Sequence, residues 1–389
     1  MSLDFQLEME VRMKKRLIFH FTLILVFTLC LSPYVREEKL CSTFMLKQGS
    51  EQIFGHNLDM PMSIEGIVVV NKRSVFKVGK SWNELTSMEG RKSPEISWIS
   101  KYGSITFNPF PREFPDGGMN EAGLCIWEMT LGGTKFLEDE SLPKLFMMQW
   151  MQHVLDNFES VDQVLKSTSE IAIDGWEWHF FTGDRTGKAA AIEYLDGKVV
   201  FHTEGTLPVT ALCNTVYEKE LEILKTYEGF GGEKPISMTD TKVERFVHAA
   251  KMLKEYKPSK SDSIVDYGFD VLAHMERGLT QWSIICDMKR LRVYFKSSLG
   301  KNIRMTSFDA FDFSNSTPVK ILDINADFSG DITDKFEDYT MEANREMAKK
   351  TVELFARDPS FEKELKSKGI TAQILIDRLA TYADSTFKK

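Results

Sequence analysis

A cysteine and an aspartate stand near the start of the chain, just behind an apolar leader. Cys41 follows "EEKL", and the segment Gly55-His56-Asn57-Leu58-Asp59, whose residue types predict a turn, comes after it. If the residues before Cys41 are removed, residue 41 carries both a thiol and a free α-amine, whose unperturbed pKa is roughly 7.7–8.0. One residue then supplies a nucleophile and the base that activates it. Without that cleavage, Cys41 is only a cysteine near a processing region.

The leader has the composition of a secretory signal. "RMKKR" (12–16) is basic, and an apolar run follows from Leu17 to Leu31. The run is short for a spanning helix and suits the core of a signal peptide. We predict that residues 1–40 are a signal peptide that is removed and that no stable membrane span remains. The protein is then exported, periplasmic or extracellular, in a bacterium; an uncleaved anchor is the alternative.

Composition and spacing exclude several classes of function. The chain has 389 residues and a net charge of -8, and no basic patch follows the leader, so we expect no nucleic-acid partner. No C-x-x-C occurs and the seven histidines are scattered, so neither a metal site nor a cofactor is predicted. "GFGGE" (229–233) lacks the lysine of a phosphate-binding loop. A papain-like Cys–His pair stays open.

Four cysteines remain after the leader, at positions 41, 125, 213 and 286. Two disulfides are compatible with export, whereas a buried free thiol is the commoner state in apolar, strand-like runs. Both interpretations are open for Cys125, Cys213 and Cys286.

The pattern of apolar residues predicts strands and helices in separate groups. Strands are expected near 42–46, 64–72, 103–107 and 123–131, three more within 178–203, and a hairpin at 281–297. Helices are expected at 143–158, 161–168, 242–256, 262–275 and, with a charged amphipathic pattern, from about 336 to 386. This segregation favours an α+β fold with two antiparallel sheets covered by helices. Residues 41–389 are predicted to form a single domain.

Three further motifs follow Cys41 and "GHNLD" in order. They are "GGMNEAGL" (117–124) with Asn120, "ALCNT" (211–215) with Asn214, and "VERF" (243–246) with Arg245. Taken singly, each has a structural explanation: a glycine-flanked turn for Asn120 and a solvated helix residue for Arg245. Together, and with "QWSIICDM" (281–288), they resemble the choloylglycine hydrolase and penicillin V acylase family of N-terminal nucleophile hydrolases.

The resemblance implies a four-layer αββα sandwich and a set of catalytic roles. Cys41 would be the nucleophile and Asp59 would hold its α-amine, although Asp59 is also a typical turn aspartate. Asn120 and Asn214 would donate to the oxyanion. Arg245 would stabilise the thiolate. Many relatives have Arg where this chain has His56, so any electrostatic support from His56 would depend on pH.

The resemblance also implies a substrate class. The expected substrate is a small acyl amide with a linear C–N bond and an apolar acyl group, such as penicillin V, a conjugated bile acid or an acyl homoserine lactone. Trp127 and Phe107 are predicted either to line the acyl pocket or to pack in the core. A homotetramer is implied for the assembly. An exported binding protein with a degenerate, non-catalytic site is the alternative function.

Overall fold

A computed structural model describes residues 41–258 and 263–386 of the chain. The predicted signal peptide, residues 1–40, lies outside these ranges. Within them, no helix is long and apolar enough to cross a membrane.

The described residues form two large sheets and several short strand pairs. In chain order the strands are β1 Ser42–Gln48, β2 Glu51–Asp59, β3 Ile67–Asn71, β4 Phe76–Val78, β5 Ser97–Ile99, β6 Ser104–Asn108, β7 Gly117–Asn120, β8 Cys125–Thr130, β9 Lys144–Phe146, β10 Ala172–Asp174, β11 Trp178–Gly183, β12 Ala189–Leu195, β13 Lys198–Thr203, β14 Ala211–Leu212, β15 Thr280–Asp287, β16 Arg292–Ser297, β17 Arg304–Ser307, β18 Lys320–Asp323, β19 Gly330–Asp331 and β20 Glu337–Asp338.

Helices flank the sheets and follow them at the end of the chain. Those in the described ranges are α1 Trp82–Thr86, α2 Met147–Asn157, α3 Val161–Ser167, α4 Tyr217–Leu224, α5 Arg245–Glu255, α6 Ile264–Met275, α7 Met341–Phe355, α8 Pro359–Ser367 and α9 Ala372–Ser385. Side-chain caps fix several of their starts. Ser160 and Gln163 form a capping box at α3, and Thr340 accepts from the Ala343 amide at α7.

The two sheets are stacked between helical layers. One sheet has the order β14-β1-β2-β15-β16-β17-β19 and the other β13-β12-β11-β8-β7-β6-β3-β18-β20. Strand pairs in both are antiparallel, apart from the parallel pair β17–β19. Helices α5 and α6 pack on the first sheet, while α2 and α3 pack on the second. The predicted α+β class and αββα sandwich are therefore confirmed.

Alternation along β8 divides its side chains between two cores. Trp127 and Met129 belong to the cluster that includes the space between the sheets, and Ile126 belongs to the cluster under α2 and the C-terminal helices. Successive side chains of a strand point to opposite faces, so one strand serves both cores. The residues at the end of β8 therefore lie at the edge of both cores.

The segment Gly55–Asp59, expected to be a turn, instead forms the second half of β2. The turn lies earlier, where Gly49 adopts a φ of 60°. A Cβ on Gly55 would lie 2.2 Å from Cε1 of Phe44 on β1, so the glycine allows a neighbouring ring to pack on the backbone. The prediction was wrong because Gly, Asn and Asp favour turns locally, whereas Gly55 is needed here to make room for the Phe44 ring.

A buried network of charges holds the C-terminal helices on the domain. Nη2 of Arg112 lies 2.6 Å from Oε1 of Glu113, and Nη1 donates to the Ala383 carbonyl of α9 at 3.1 Å. Nζ of Lys77 lies 2.5 Å from Oε2 of Glu113 and 2.9 Å from Oδ2 of Asp156 on α2. Buried charges are tolerated when they are paired. The network therefore joins the loop before β7 to α2 and to the C-terminal helix α9.

The same loop also holds α7. The backbone N–H of Arg112 donates to Oδ1 of Asn344 at 2.9 Å, and Nδ2 of Asn344 donates to the Ala380 carbonyl at 3.1 Å. One asparagine therefore ties α7 both to this loop and to α9.

We predict that Arg112→Ala lowers the free energy of unfolding by about 3–5 kcal/mol, because it breaks a buried charge network. The control is Arg345→Ala on α7, which removes a half-exposed ion pair to Asp377 and should cost about 1 kcal/mol or less. Urea unfolding followed by tryptophan fluorescence measures both. Equal losses would show that the buried network does not hold the helices.

Candidate active site

The β1–β2 hairpin brings Cys41 and Asp59 together. Antiparallel pairing places Ser42 opposite Asn57 and Thr43 opposite His56, so residue 41 lies beside the last residues of β2. The Cys41 thiol points at the Asp59 carbonyl oxygen at 4.0 Å, across 18 positions of sequence. The spacing between these two residues is therefore set by the register of a tight hairpin.

Arg245, the first residue of α5, contacts three parts of the site. Its Nη1 donates to the Cys41 carbonyl at 3.1 Å and lies 3.5 Å from Oδ2 of Asp59, and its Nη2 donates to Oδ1 of Asn214 at 2.7 Å. The guanidinium group has five N–H donors in a fixed plane. One side chain can therefore fix the relative positions of β1, β2 and the segment after β14.

Asp59 is a buried carboxyl whose charge is only partly stabilised. Burial raises its pKa from 3.8 to about 6, although the Thr280 hydrogen bond and the Arg245 charge both act in the opposite direction. The Thr280 hydroxyl donates to Oδ1 at 2.5 Å. The carboxyl therefore changes its charge in a range close to neutral pH.

Arg245 also sets the orientation of the Asn214 amide. Because Oδ1 of Asn214 accepts from Arg245, Nδ2 faces the other way and donates to the Thr130 carbonyl at the end of β8, at 2.7 Å. An amide nitrogen carries two protons. One of them bonds to Thr130, and the second remains available for a ligand.

Two buried side chains support the backbone on either side of Asn214. The Glu220 carboxyl accepts from the backbone N–H groups of Cys213 and Thr215, and burial raises its pKa well above the usual range. Nε2 of His179 lies 2.6 Å from the Cys213 carbonyl oxygen. Neither residue was predicted from the sequence; the signal that could have shown them is a glutamate and a histidine in otherwise apolar segments.

The Nε2 atom of His179 is the hydrogen-bond donor to the Cys213 carbonyl. A carbonyl oxygen only accepts, so Nε2 must carry a proton. Nδ1 lies 3.2 Å from Oε1 of Glu193, which also accepts from the Tyr217 amide at 3.0 Å. Glu193 therefore contacts both the His179 ring and the Tyr217 amide, and it fixes the ring that holds the Cys213 carbonyl.

The Cys41 thiol lies in an environment that disfavours the thiolate. Burial is the main cause that raises its pKa well above the usual range, and the carboxylates of Glu128, Asp116 and Asp59 add to it in that order. A thiol with a raised pKa stays protonated at neutral pH, so a nearby base is needed to activate it.

The other described cysteines are buried and free, as is Cys41. Burial also raises the pKa of Cys125 and Cys213. This arrangement fits the alternative of buried free thiols rather than disulfides. Within the described ranges, no group of three or more His, Cys, Asp or Glu side chains is placed to bind a metal ion.

His56 lies between the sheets and faces an acidic partner. Its Nδ1 is 2.9 Å from the Thr43 hydroxyl oxygen, its Nε2 is 3.2 Å from Oδ2 of Asp116, and its ring stacks on Trp127 with centroids 5.6 Å apart. Nε2 of His56 and Oδ2 of Asp116 lie within ion-pair distance but are not aligned for a hydrogen bond. His56 therefore contacts Thr43 and Asp116 rather than the thiol directly.

Asn120 is placed differently from the role that the resemblance implied. Its Nδ2 donates to the carbonyls of Leu155 and Phe158 at 2.8 and 2.7 Å, and its Oδ1 accepts from the amides of Ala122 and Leu124 at 3.1 and 3.0 Å. Both donor protons are therefore engaged with the end of α2. This geometry fits the turn interpretation and does not support an oxyanion donor.

The two aromatic residues predicted as pocket candidates lie in the core between the sheets. Trp127 and Phe107 are fully buried, with ring centroids 6.2 Å apart. Trp127 also stacks near Phe54, and Phe107 packs edge-on against Phe295. Neither lines the cavity at Cys41. The core-packing interpretation therefore fits both.

A cavity of about 510 Å³, including its open mouth, begins at Cys41. Its walls come from the end of β2 and the segment after it, the loop before β7, the rim of the nine-stranded sheet, α2 and α7. The lining side chains are Cys41, Leu58, Met60, Ile64, Pro109, Phe110, Asp116, Glu128, Met148, Trp176, Trp178, Thr351, Leu354 and Phe355. A largely apolar cavity beside a thiol is suited to an apolar acyl group.

Solved structures of other proteins share this fold. The penicillin V acylase of Agrobacterium tumefaciens matches with a TM-score of 0.67 and 24% identity, over 77% of this chain and 98% of that one. A variant of the conjugated bile acid hydrolase of Clostridium perfringens matches with a TM-score of 0.58 and 18% identity, over 73% and 97% of the two chains. These likenesses confirm the predicted fold.

Sequence comparisons identify the family. A penicillin V acylase of Pectobacterium atrosepticum is 25% identical over 274 residues, which cover 59% of this chain and 73% of that protein. The model of the linear amide C–N hydrolases of the choloylglycine hydrolase family matches residues 41–255. Since that match covers more than half of the chain, the protein belongs to the choloylglycine hydrolase family of linear amide C–N hydrolases.

Proposed function

We propose that the protein is an exported amidase that cleaves linear amides with an apolar acyl group, with Cys41 as an N-terminal nucleophile. The signal-like composition of residues 1–40 supports export to the periplasm or the exterior of a bacterial cell. Cleavage before Cys41 would free its α-amine. Penicillin V, conjugated bile acids and related acyl amides are the candidate substrates.

The convergence of separate segments on residue 41 is the observation that carries this proposal. Arg245 contacts the Cys41 carbonyl, Asp59 and Asn214 through one guanidinium group. A buried arginine is not required there for a stable core, because burying a charge costs free energy that its partners must offset. Its contacts instead hold a thiol, a carboxyl and an amide in a common site.

The first half of the reaction follows from these positions. The Cys41 sulfur attacks the amide carbonyl carbon while its proton passes to the neutral α-amine of the same residue. Asp59 orients this amine, and Arg245 fixes the residue through its carbonyl. The free Nδ2 proton of Asn214 donates to the developing oxyanion.

The second half returns the enzyme to its starting state. The α-ammonium gives its proton to the leaving nitrogen, the C–N bond breaks, and a thioester remains on Cys41. Water then attacks the thioester while the α-amine takes its proton. The carboxylic acid leaves when the C–S bond breaks, and the thiol is restored.

The first prediction concerns maturation and the nucleophile. Protein expressed with its leader should begin at Cys41 by N-terminal sequencing, and Cys41→Ser should lower penicillin V hydrolysis by roughly 10³-fold or more. Cys286→Ala, which alters a buried thiol in β15, is the control and should keep most activity. An active, stable protein that retains Leu40, or an active Cys41→Ser variant, would contradict the mechanism.

The second prediction separates the two asparagines. Asn214→Ala should lower kcat roughly 10²–10³-fold with little change in stability, because it removes an oxyanion donor. Asn120→Ala should change kcat less than about tenfold. It should instead lower the free energy of unfolding by about 1–3 kcal/mol, because buried backbone groups lose their partners. Steady-state kinetics and urea unfolding distinguish them, and the reverse pattern would restore the role first expected for Asn120.

The third prediction concerns pH. Protonation of Asp59 removes its ion pair with Arg245, so kcat/KM should fall as pH drops through about 6. A raised carboxyl pKa means that the folded state binds the proton more tightly than the unfolded state. Protonation of Asp59 therefore stabilises the folded state as pH falls from about 6 towards 4. The loss of activity in this range is then not caused by unfolding through this group.

Thr280→Val tests that assignment. It removes a hydrogen bond that lowers the Asp59 pKa, so the acid limb of the profile should move upward by about one pH unit. Ser283→Ala is the control: its hydroxyl lies on the same strand but donates to Oδ1 of Asn57. An acid limb that stays in place in Thr280→Val would assign it to another group.

A further inference from the structure

The wall of the cavity contains two carboxylates in otherwise apolar surroundings. Glu128 lies on β8 two positions from Ile126, on the face that packs towards α2, and is 3% exposed. Its neighbour in the register of β11 is Phe180. The pattern of 123–131 predicts an apolar strand, and Glu128 is the exception in that pattern.

Asp116 reaches the same cavity from the loop before β7. Its backbone N–H donates to the Phe107 carbonyl at 2.9 Å, and its side chain is 1% exposed beside Nε2 of His56. Strand pairing therefore fixes the loop, and the side chain has one defined partner on β2. Both carboxylates are part of ordered walls.

The remaining walls are mostly apolar and include a segment outside the family match. Leu354 and Phe355 of α7 line it, and the Phe355 ring packs against Phe110 and Trp176 with centroids 5.4 and 5.6 Å apart. The family match ends at residue 255, so α7 lies outside the matched region. Among the described side chains that line the cavity, none is a lysine, arginine or histidine.

The two carboxylates act on the position where the scissile bond must lie. Both raise the pKa of the Cys41 thiol by their charge, and the effect of Glu128 is the larger. Charge interactions are strong in a buried, apolar cavity, since little solvent screens them. A cation on the acyl group would be stabilised there, and an anion would be repelled.

We propose that this cavity selects amides whose acyl group is apolar and carries a protonated amine beside the scissile carbonyl, with Glu128 and Asp116 as specificity-determining residues. The inference rests on the proposed function, because it assigns the cavity to the acyl group. Arg245 and Asn214 do not line the cavity, and the inference does not extend to the leaving group.

The same carboxylates have one competing role. They would also attract the α-ammonium of a mature Cys41, and in that case they serve every substrate alike. A change in the ratio of kcat/KM for a cationic substrate to kcat/KM for a neutral one separates the two roles. A change in the overall rate does not.

The test compares anilides whose acyl groups have the same phenyl ring and differ only in an α-amine. Phenylacetyl anilide is neutral, and both enantiomers of phenylglycyl anilide carry an α-amine, which is mostly protonated at pH 6.5. The native enzyme should prefer one phenylglycyl enantiomer over phenylacetyl by about 10- to 100-fold in kcat/KM, the range of a charge-assisted hydrogen bond. Glu128→Gln and Asp116→Asn should each lower that ratio by about tenfold.

Leu354→Ala is the matched control, because it changes the cavity wall without changing its charge, and its ratio should stay within about threefold of native. The Cys41→Ser variant measures background cleavage. A native ratio near one, or equal losses for both substrates in Glu128→Gln and Asp116→Asn, would overturn the inference.

Binding to the Cys41→Ser variant keeps this result distinct from a failure of the proposed function. By calorimetry, phenylglycinamide should bind at least about tenfold more tightly than phenylacetamide. A binding preference without any turnover by the native enzyme would overturn the proposed function and support the preference of the cavity. Turnover without a preference would support the function and overturn the inference.

Discussion

The candidate site depends on a single buried guanidinium group. Arg245 begins α5 and bonds to the carbonyl of Cys41, the carboxyl of Asp59 and the amide of Asn214. These residues come from the start of β1, the end of β2 and the segment after β14, and the one guanidinium group bonds to all three. Because the arginine keeps its charge at ordinary pH, the arrangement persists while its neighbour Asp59 titrates. Helix, hairpin and loop are therefore coupled at one point.

Much of the fold and part of the site could be predicted, because their causes are local. Antiparallel register explains why Cys41 and Asp59, 18 positions apart, come together, and the apolar periodicity located the helix that begins at Arg245. The three strands within 178–203 and the hairpin near 281–297 also follow from alternation and turn residues. The segregation of strands from helices was sufficient to predict stacked antiparallel sheets.

The features that the sequence could not predict depend on contacts between distant residues. Asn120 has the sequence surroundings of a site residue, yet the carbonyls at the end of α2 use both of its donor protons. Alternation placed Trp127 on one face of β8 but could not show that this face meets the other sheet. Glu128 was missed for the related reason that its face forms a cavity only after α2 and α7 have packed against the sheet.

Helix α7 lies late in the chain, after every residue of the candidate site. The cluster around residue 41 is complete once Thr280 has been synthesised, whereas the cavity wall needs Leu354 and Phe355. The residues of the candidate site are therefore synthesised before part of the cavity wall. Mutations in this late helix can change the shape of the cavity without displacing the sulfur. Under the proposed function, the range of substrates can then diverge within a lineage while the chemistry stays constant.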